Sequence, residues 1–194
     1  MTKIVGITGS LRSGSFNTAL LHAAAALAPT GVAIEIATIK GIPLYNGDVE
    51  AVEGIPQAVV ALQAQIAAAD GLLLATPEYN SSIPGVLKNA IDWLSRPPTE
   101  IPRVFGGRSI AVIGATPGGF GTVLSQNAWL PVLRALGTHP WFGGRLMVSR
   151  AHQVFNESGE MVDETARKQL HNFLAGFAAF AQANTLSDRN DDSV

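Results

Sequence analysis

Apolar residues keep two rhythms along the chain. Short aliphatic runs alternate with longer stretches in which apolar positions return every three or four residues, the marks of strand and amphipathic helix. The run "KIVGIT" at residues 3–8, stopped by Gly9, predicts a buried strand. Over residues 16–28, Leu20, Leu21, Ala24 and Leu27 line one face of a helix that Pro29, Thr30 and Gly31 end. "VAIEIAT" sets Val32, Ile34 and Ile36 against Ala33, Glu35 and Ala37, and a charge in mid-strand fits a sheet edge. A loop rich in Gly, Pro and Asn is expected over residues 40–54. Pro56 then suits the first turn of a second helix buried through Val59, Leu62, Ile66 and Ala69.

The uniformly apolar "GLLLATP" at residues 71–77 predicts a central parallel strand covered on both faces. Pro84 opens a third helix, and Pro97 and Pro98 follow its end. "SIAVIGATPGG" is a fourth strand running into a glycine turn. A fourth helix is expected over residues 122–136, with Pro131 producing a kink or a late start. "RLMVS" is the expected fifth strand, and Ala166, Leu170, Phe173, Leu174 and Phe177 stripe the last helix. Strand and helix alternate throughout, which predicts an α/β fold: a doubly wound parallel sheet in a three-layer sandwich. Ligands bind such sheets beyond the carboxyl ends of the strands, where strand order reverses. The segments 9–17, 77–84 and 116–121 are expected to meet there.

Composition narrows the class. The 194 residues fit one domain, expected over residues 1–184 with a polar, disordered tail over 185–194. Hydrophobic residues make up 47% and charged residues 14%, which leaves surface available for burial against another subunit. A net charge of −2 without a basic block argues against nucleic acid and anionic membrane as partners. The absence of cysteine excludes disulfides, thiolate catalysis and Cys-ligated metals. The four histidines are scattered without the spacing of a metal motif. No apolar run resembles a signal peptide or a membrane span, so a cytoplasmic protein is expected.

The first loop, "GSLRSGSFN", has the chemistry of an anion site. It combines a helix N-terminus, several hydroxyls and the permanently charged fork of Arg12. The plainer alternative makes Ser15 an N-cap and Gly14 a turn. Lys-Ser/Thr does not follow Gly14, so this is no Walker loop, and no Gly-x-Gly-x-x-Gly or Gly-x-Ser-x-Gly occurs. In the second loop, "TPEYNSSIPGVLKNAIDWLSRP", the backbone amides between Glu78 and Ser82 can bond the rim of a planar heterocycle. Alternatively this is a plain strand-to-helix connection with Tyr79 packed as core.

These stretches, with "PLYNGD" at residues 43–48, resemble the NADPH-dependent FMN reductase family of flavodoxin-like enzymes, which includes quinone, chromate and azo-dye reductases. The resemblance implies a flavodoxin-like, five-stranded sheet of order 2-1-3-4-5, and FMN and NADPH (or NADH) as cofactors. It implies that Ser10, Arg12, Ser15, Phe16 and Asn17 grip the FMN phosphate. Pro77, Glu78, Tyr79 and Asn80 then cradle the isoalloxazine, and Thr116, Pro117, Gly118 and Gly119 close over its pyrimidine side. The third loop departs from the family in "VLSQ", where members often carry Arg-Ala-Gln.

The implied reaction is a ping-pong transfer from NADPH through FMN to a quinone-like, flavin or other small acceptor. It needs no catalytic acid, base or metal from the side chains. The resemblance also implies a homodimer or homotetramer, with Trp93 either at the subunit boundary or in the domain's own core. Two alternatives share the fold: a flavodoxin-type one-electron carrier without substrate turnover, and a flavin-binding regulatory module.

Overall fold

The structure, a computed structural model, describes residues 1–191, with side chains described through Thr185. In chain order the elements are β1 (Thr2–Thr8), α1 (Phe16–Ala26), β2 (Val32–Ala37), α2 (Gly47–Glu53), α3 (Gln57–Ala67), β3 (Gly71–Ala75) and α4 (Gly85–Leu94). There follow α5 (Ile101–Val104), β4 (Ser109–Ala115), α6 (Val123–Ala135), β5 (His139–Pro140), β6 (Met147–Val148), α7 (Ala151–Val154) and α8 (Glu164–Asp191). The tail expected from residue 185 begins inside α8, and residues 192–194 lie outside the described residues.

All ladders are parallel and the order is β2-β1-β3-β4-β5, the flavodoxin-like order. Two apolar layers sandwich the sheet. Leu20 and Leu21 of α1 and Leu170 and Phe177 of α8 cover Ile4, Leu73 and Ile113 on one face. On the other, Leu62 of α3, Leu87 of α4 and Trp129 of α6 cover Val5, Leu72 and Leu74. Every residue of β3 is buried, as a central strand between two helical layers requires.

Three expectations change. The fifth strand is split. β5 pairs with the start of β4 through Ser109↔His139, and β6 with its end through Gly114↔Met147. Between them the chain leaves the edge to pack the half-buried Trp141 edge-on against Phe173. The indole occupies the space that a Cβ at Gly143, Gly144 or Gly176 would take. The loop over residues 40–54 contains α2, whose first turn is capped by Asn46 and carries Asp48 and Glu50. The helix α6 starts at Val123 rather than late and continues through Pro131. Pro131 lies on its exposed side, where water can solvate the carbonyl that the missing N–H leaves unpaired.

A polar cluster pins α2 to α4. Arg96 donates through Nε to both oxygens of Glu50 at 3.1 and 2.9 Å, and Tyr45 Oη donates to Glu50 Oε2 at 2.9 Å. The ring of Tyr45 meets Trp93 edge-on, and Trp93 Nε1 donates to the Pro43 carbonyl. Trp93 is wholly buried in the domain's own core, which removes it from a subunit boundary. The hydrogen bond from Arg96 outweighs the opposing cost of desolvation and, with smaller help from Tyr45 and the Arg96 charge, holds the Glu50 carboxyl below its ordinary pKa.

A depressed folded pKa contributes stability that is fully present above the unfolded glutamate value and is lost as pH falls through the folded one. The thermal midpoint of Glu50→Gln should therefore lie below that of the wild type at neutral pH, and the gap should close in acid. A gap of constant size down to the acid limit would contradict this role.

Candidate functional site

The three expected loops converge at the carboxyl ends of β1, β3 and β4. Close backbone contact brings the first two together. Gly9 N donates to the Ala75 carbonyl at 2.8 Å. A Cβ at Gly9 would lie 2.8 Å from Leu87 and 2.9 Å from Pro77, so only glycine lets the loops approach this closely.

In the first loop, Ser15 is the N-cap of α1, its Oγ accepting from Asn17 N at 3.2 Å and Thr18 N at 3.4 Å. Ser10 Oγ accepts from Arg12 N. The N–H of Phe16 has no partner among the described residues, while its ring stacks on Phe155, 6.1 Å between centroids. Arg12 is exposed and forms no ion pair among the described residues.

Asn17 requires a correction. Its carboxamide does not face the loop's open side. Its Nδ2 donates to the Ala115 carbonyl and its Oδ1 accepts from Ala115 N, both at 2.9 Å and both buried. The ladder between β3 and β4 ends at Ala75↔Ile113, because Pro77 turns the chain away. The flanking amides of Gly114 and Thr116 bond toward β6, so the Ala115 peptide groups point to the vacated β3 side. Asn17 supplies the rung that β3 no longer provides.

The second loop is a tight reversal. Tyr79 and Ser82 exchange backbone hydrogen bonds at 3.2 and 3.1 Å, with Asn80 at φ 50° and Ser81 at φ 60°. Two successive left-handed residues make this a type I′ turn. The amides of Tyr79 and Ser82 are therefore spent, whereas those of Asn80 and Ser81 have no partner among the described residues. Tyr79 is about half exposed rather than packed as core, at 47%.

The third loop is fastened on its far side, where Ala151 N donates to the Thr116 carbonyl and Arg150 N to the Gly118 carbonyl. Pro117, Gly118 and Gly119 are exposed, and a Cβ at Gly119 would meet nothing within 4 Å. The chain's own packing does not demand glycine there, and the space stays open to a bound group.

Two residues that the sequence reading did not single out, or read otherwise, tie the loops together. Thr76 Oγ1 shares a hydrogen bond of 2.8 Å with Ser125 Oγ and accepts from Trp129 Nε1 at 3.0 Å. Glu78 Oε2 accepts from Leu124 N and Ser125 N. A groove of about 1230 Å³ runs along α1 and residues 155–162 and borders the first loop at Ser13, Gly14, Ser15 and Phe16. It is bounded mainly by helix flanks, not by strand ends. His22 and His152 lie in it, and the described residues include no cluster able to hold a metal ion.

Replacing Asn17 by Ala strands two buried peptide groups, at about 1–3 kcal/mol for each one left unpaired. Asn17→Asp should rescue little, because a carboxylate offers no donor to the Ala115 carbonyl. Urea midpoints compare the three proteins, and an Ala variant as stable as the wild type would remove the clamp from the account.

Residues 2–153 match the NADPH-dependent FMN reductase family. A Pseudomonas aeruginosa protein named NAD(P)H-dependent FMN reductase is 49% identical over 172 residues, covering 89% of this chain and 91% of its own. A 2-hydroxy-1,4-benzoquinone reductase from Burkholderia is 39% identical, covering 93% and 96%. The structure of FerB, a flavoenzyme NAD(P)H:(acceptor) oxidoreductase from Paracoccus denitrificans, superposes with TM-score 0.85 at 31% identity, covering 95% of this chain and 99% of that one. On sequence and on fold together, the chain belongs to the NADPH-dependent FMN reductase family.

Proposed function

We propose that the chain binds FMN across the three strand-end loops and uses it to reduce a quinone-class acceptor at the expense of NADPH or NADH. The observation that carries this reading is the set of donors left without partners among the described residues in the loops that follow β1 and β3: the Arg12 guanidinium and Phe16 N–H in the first, the Asn80 and Ser81 amides in the second. The names of the relatives, an FMN reductase and a benzoquinone reductase, point the same way.

When bound, FMN supplies the two-electron chemistry between nicotinamide and acceptor. The chain's own residues bind, orient and exclude. Arg12 and the hydroxyls of Ser10 and Ser15 hold the phosphate at the positive end of α1, together with the Phe16 N–H. Asn17 acts through Ala115, keeping the end of β4 beside this loop. Pro77, Glu78, Tyr79 and Asn80 would border the ring, and the free amides of Asn80 and Ser81 would be available to its polar rim. Thr116, Pro117, Gly118 and Gly119 cover the pyrimidine side. A single site shared by nicotinamide and acceptor would make the kinetics ping-pong, with no side chain serving as acid or base.

The type I′ turn favours an enzyme over a one-electron carrier. Its peptides are locked by the two Tyr79–Ser82 bonds, and it has no glycine to let a peptide reorient cheaply. A fixed amide donor at the ring suits two-electron transfer. A second copy of the chain, as dimer or tetramer in the cytoplasm, would cover the exposed Phe120 and Leu124 beside the site, at 87% and 46% exposure.

Anaerobic NADPH should bleach the flavin absorbance of the loaded protein, and a benzoquinone should restore it, with parallel double-reciprocal plots. Absence of reduction by both NADPH and NADH would leave the carrier. Arg12→Ala should cost on the order of 1.5–3 kcal/mol of FMN affinity, the range for hydrogen bonds to charged groups. Riboflavin, which lacks the phosphate, should bind both proteins alike. Equal losses for the two flavins in calorimetry would show that Arg12 acts through folding and not through the phosphate.

A further inference from the structure

We infer that Glu78 is a positioning residue. Its carboxylate bolts the 77–82 turn to the start of α6 and so sets the gap between that turn and the 116–121 loop. The inference rests on the proposed placement of the flavin ring between those two segments.

Three observations carry it. The first is the cap. Glu78 Oε2 accepts from Leu124 N at 2.9 Å and Ser125 N at 3.1 Å, two of the four amides that the first turn of α6 leaves without intrahelical partners. The helix dipole adds to this contact, since a carboxylate is stabilised at a helix N-terminus.

The second is that α6 has no cap of its own. Thr122 occupies the N-cap position but makes no capping hydrogen bond. Its hydroxyl instead accepts from Gln126 Nε2 at 3.1 Å. The position where a local cap would form is thus left to a residue 46 positions earlier in the chain.

The third is that, among the described residues, the only side-chain hydrogen bonds between these two parts of the chain come from Glu78 and, below it, Thr76. Below the turn, the Thr76 hydroxyl bonds Ser125 and Trp129. Beyond the turn, residues 79–82 make no side-chain hydrogen bond among the described residues, so Glu78 is the last side-chain anchor before the tip. The third loop is held at Thr116 and Gly118 by backbone bonds from Ala151 and Arg150. From Gly118 onward it returns to the sheet at Thr122, where α6 begins under the Glu78 carboxylate. Removing that contact frees the two walls to move relative to each other, while the first loop, anchored by Ser15 and Asn17, stays in place.

The consequence separates this role from phosphate binding. Glu78→Ala should weaken riboflavin and FMN by the same factor, roughly tenfold for the loss of a two-bond cap. The ratio of the two affinities should stay at the wild-type value. Glu78→Gln keeps an acceptor oxygen at the same reach and should recover most of the loss. Independently of any flavin, hydrogen exchange in the apoprotein should show the Leu124 and Ser125 amides exposed in Glu78→Ala and protected in Glu78→Gln.

Calorimetry with both flavins and amide exchange on the three proteins, each well below its melting temperature, tests all of this. Unchanged riboflavin affinity in Glu78→Ala would overturn the inference, as would selective loss of FMN, unchanged exchange at Leu124 and Ser125, or a Gln variant as weak as the Ala variant. A wild-type protein that binds neither flavin would overturn the FMN reading itself, and the exchange measurement would still report on the cap.

Discussion

A parallel sheet that opens a ligand crevice must break its own hydrogen-bond ladder. Here the break falls at Pro77, where the chain leaves β3 and the Ala115 peptide of β4 loses its partner on that side. An unpaired buried peptide group is costly, so the crevice exists only because something else pairs with it. The Asn17 carboxamide does so with one donor and one acceptor, a match to a peptide edge that no other side chain but glutamine offers. The same pair of bonds fixes the N-terminus of α1 across the end of β3. The N-terminal end of α1 is thereby placed at the point where strand order reverses.

The other loops follow from that placement. With α1 held, Gly9 lets the first loop lie against Pro77 and Leu87, and the second loop turns back on itself at Asn80 and Ser81. Gly114 is needed at the next position along: a Cβ there would run into the Thr122 hydroxyl and lie 2.5 Å from the Thr76 carbonyl. The third loop thus packs onto the base of the second, and Thr76, Ser125 and Trp129 form the buried polar floor beneath both. The first and second loops spend some of their donors within the protein and keep others without partners among the described residues. That division of labour is what a site for a planar, anionic cofactor needs.

Much of this was legible from residue order. Alternating aliphatic runs and amphipathic stretches predict the layers, and the positions of Gly9, Pro77 and Gly118 mark the strand ends. The misread features share a cause, in that their partners lie far away in sequence. Asn17 has the local appearance of a ligand donor, and nothing near it reveals a partner 98 residues on. A helix cap is read from the residues just before the helix, whereas α6 is capped from Glu78. The split edge strand depends on Trp141 finding a cradle that includes Gly176, on a different element. By contrast α2 carried its own local signal, Asn46 followed by Asp48 and Glu50, beneath a composition rich in glycine and proline.

The proposed flavin site lies at the strand ends, and a groove of about 1230 Å³ runs along α1 and residues 155–162. Backbone amide chemical shifts followed as FMN is titrated into the isotope-labelled apoprotein decide between these locations. The shifted amides should cluster in residues 9–17, 77–82 and 116–121, with Asn80 and Ser81, which do not line the groove, among the largest. The Asn17 side-chain amide should stay in place and slow to exchange. Shifts concentrated at His22, Phe155 and Arg167, with residues 77–82 and 116–121 unmoved, would place the cofactor in the groove and rule out the strand-end site.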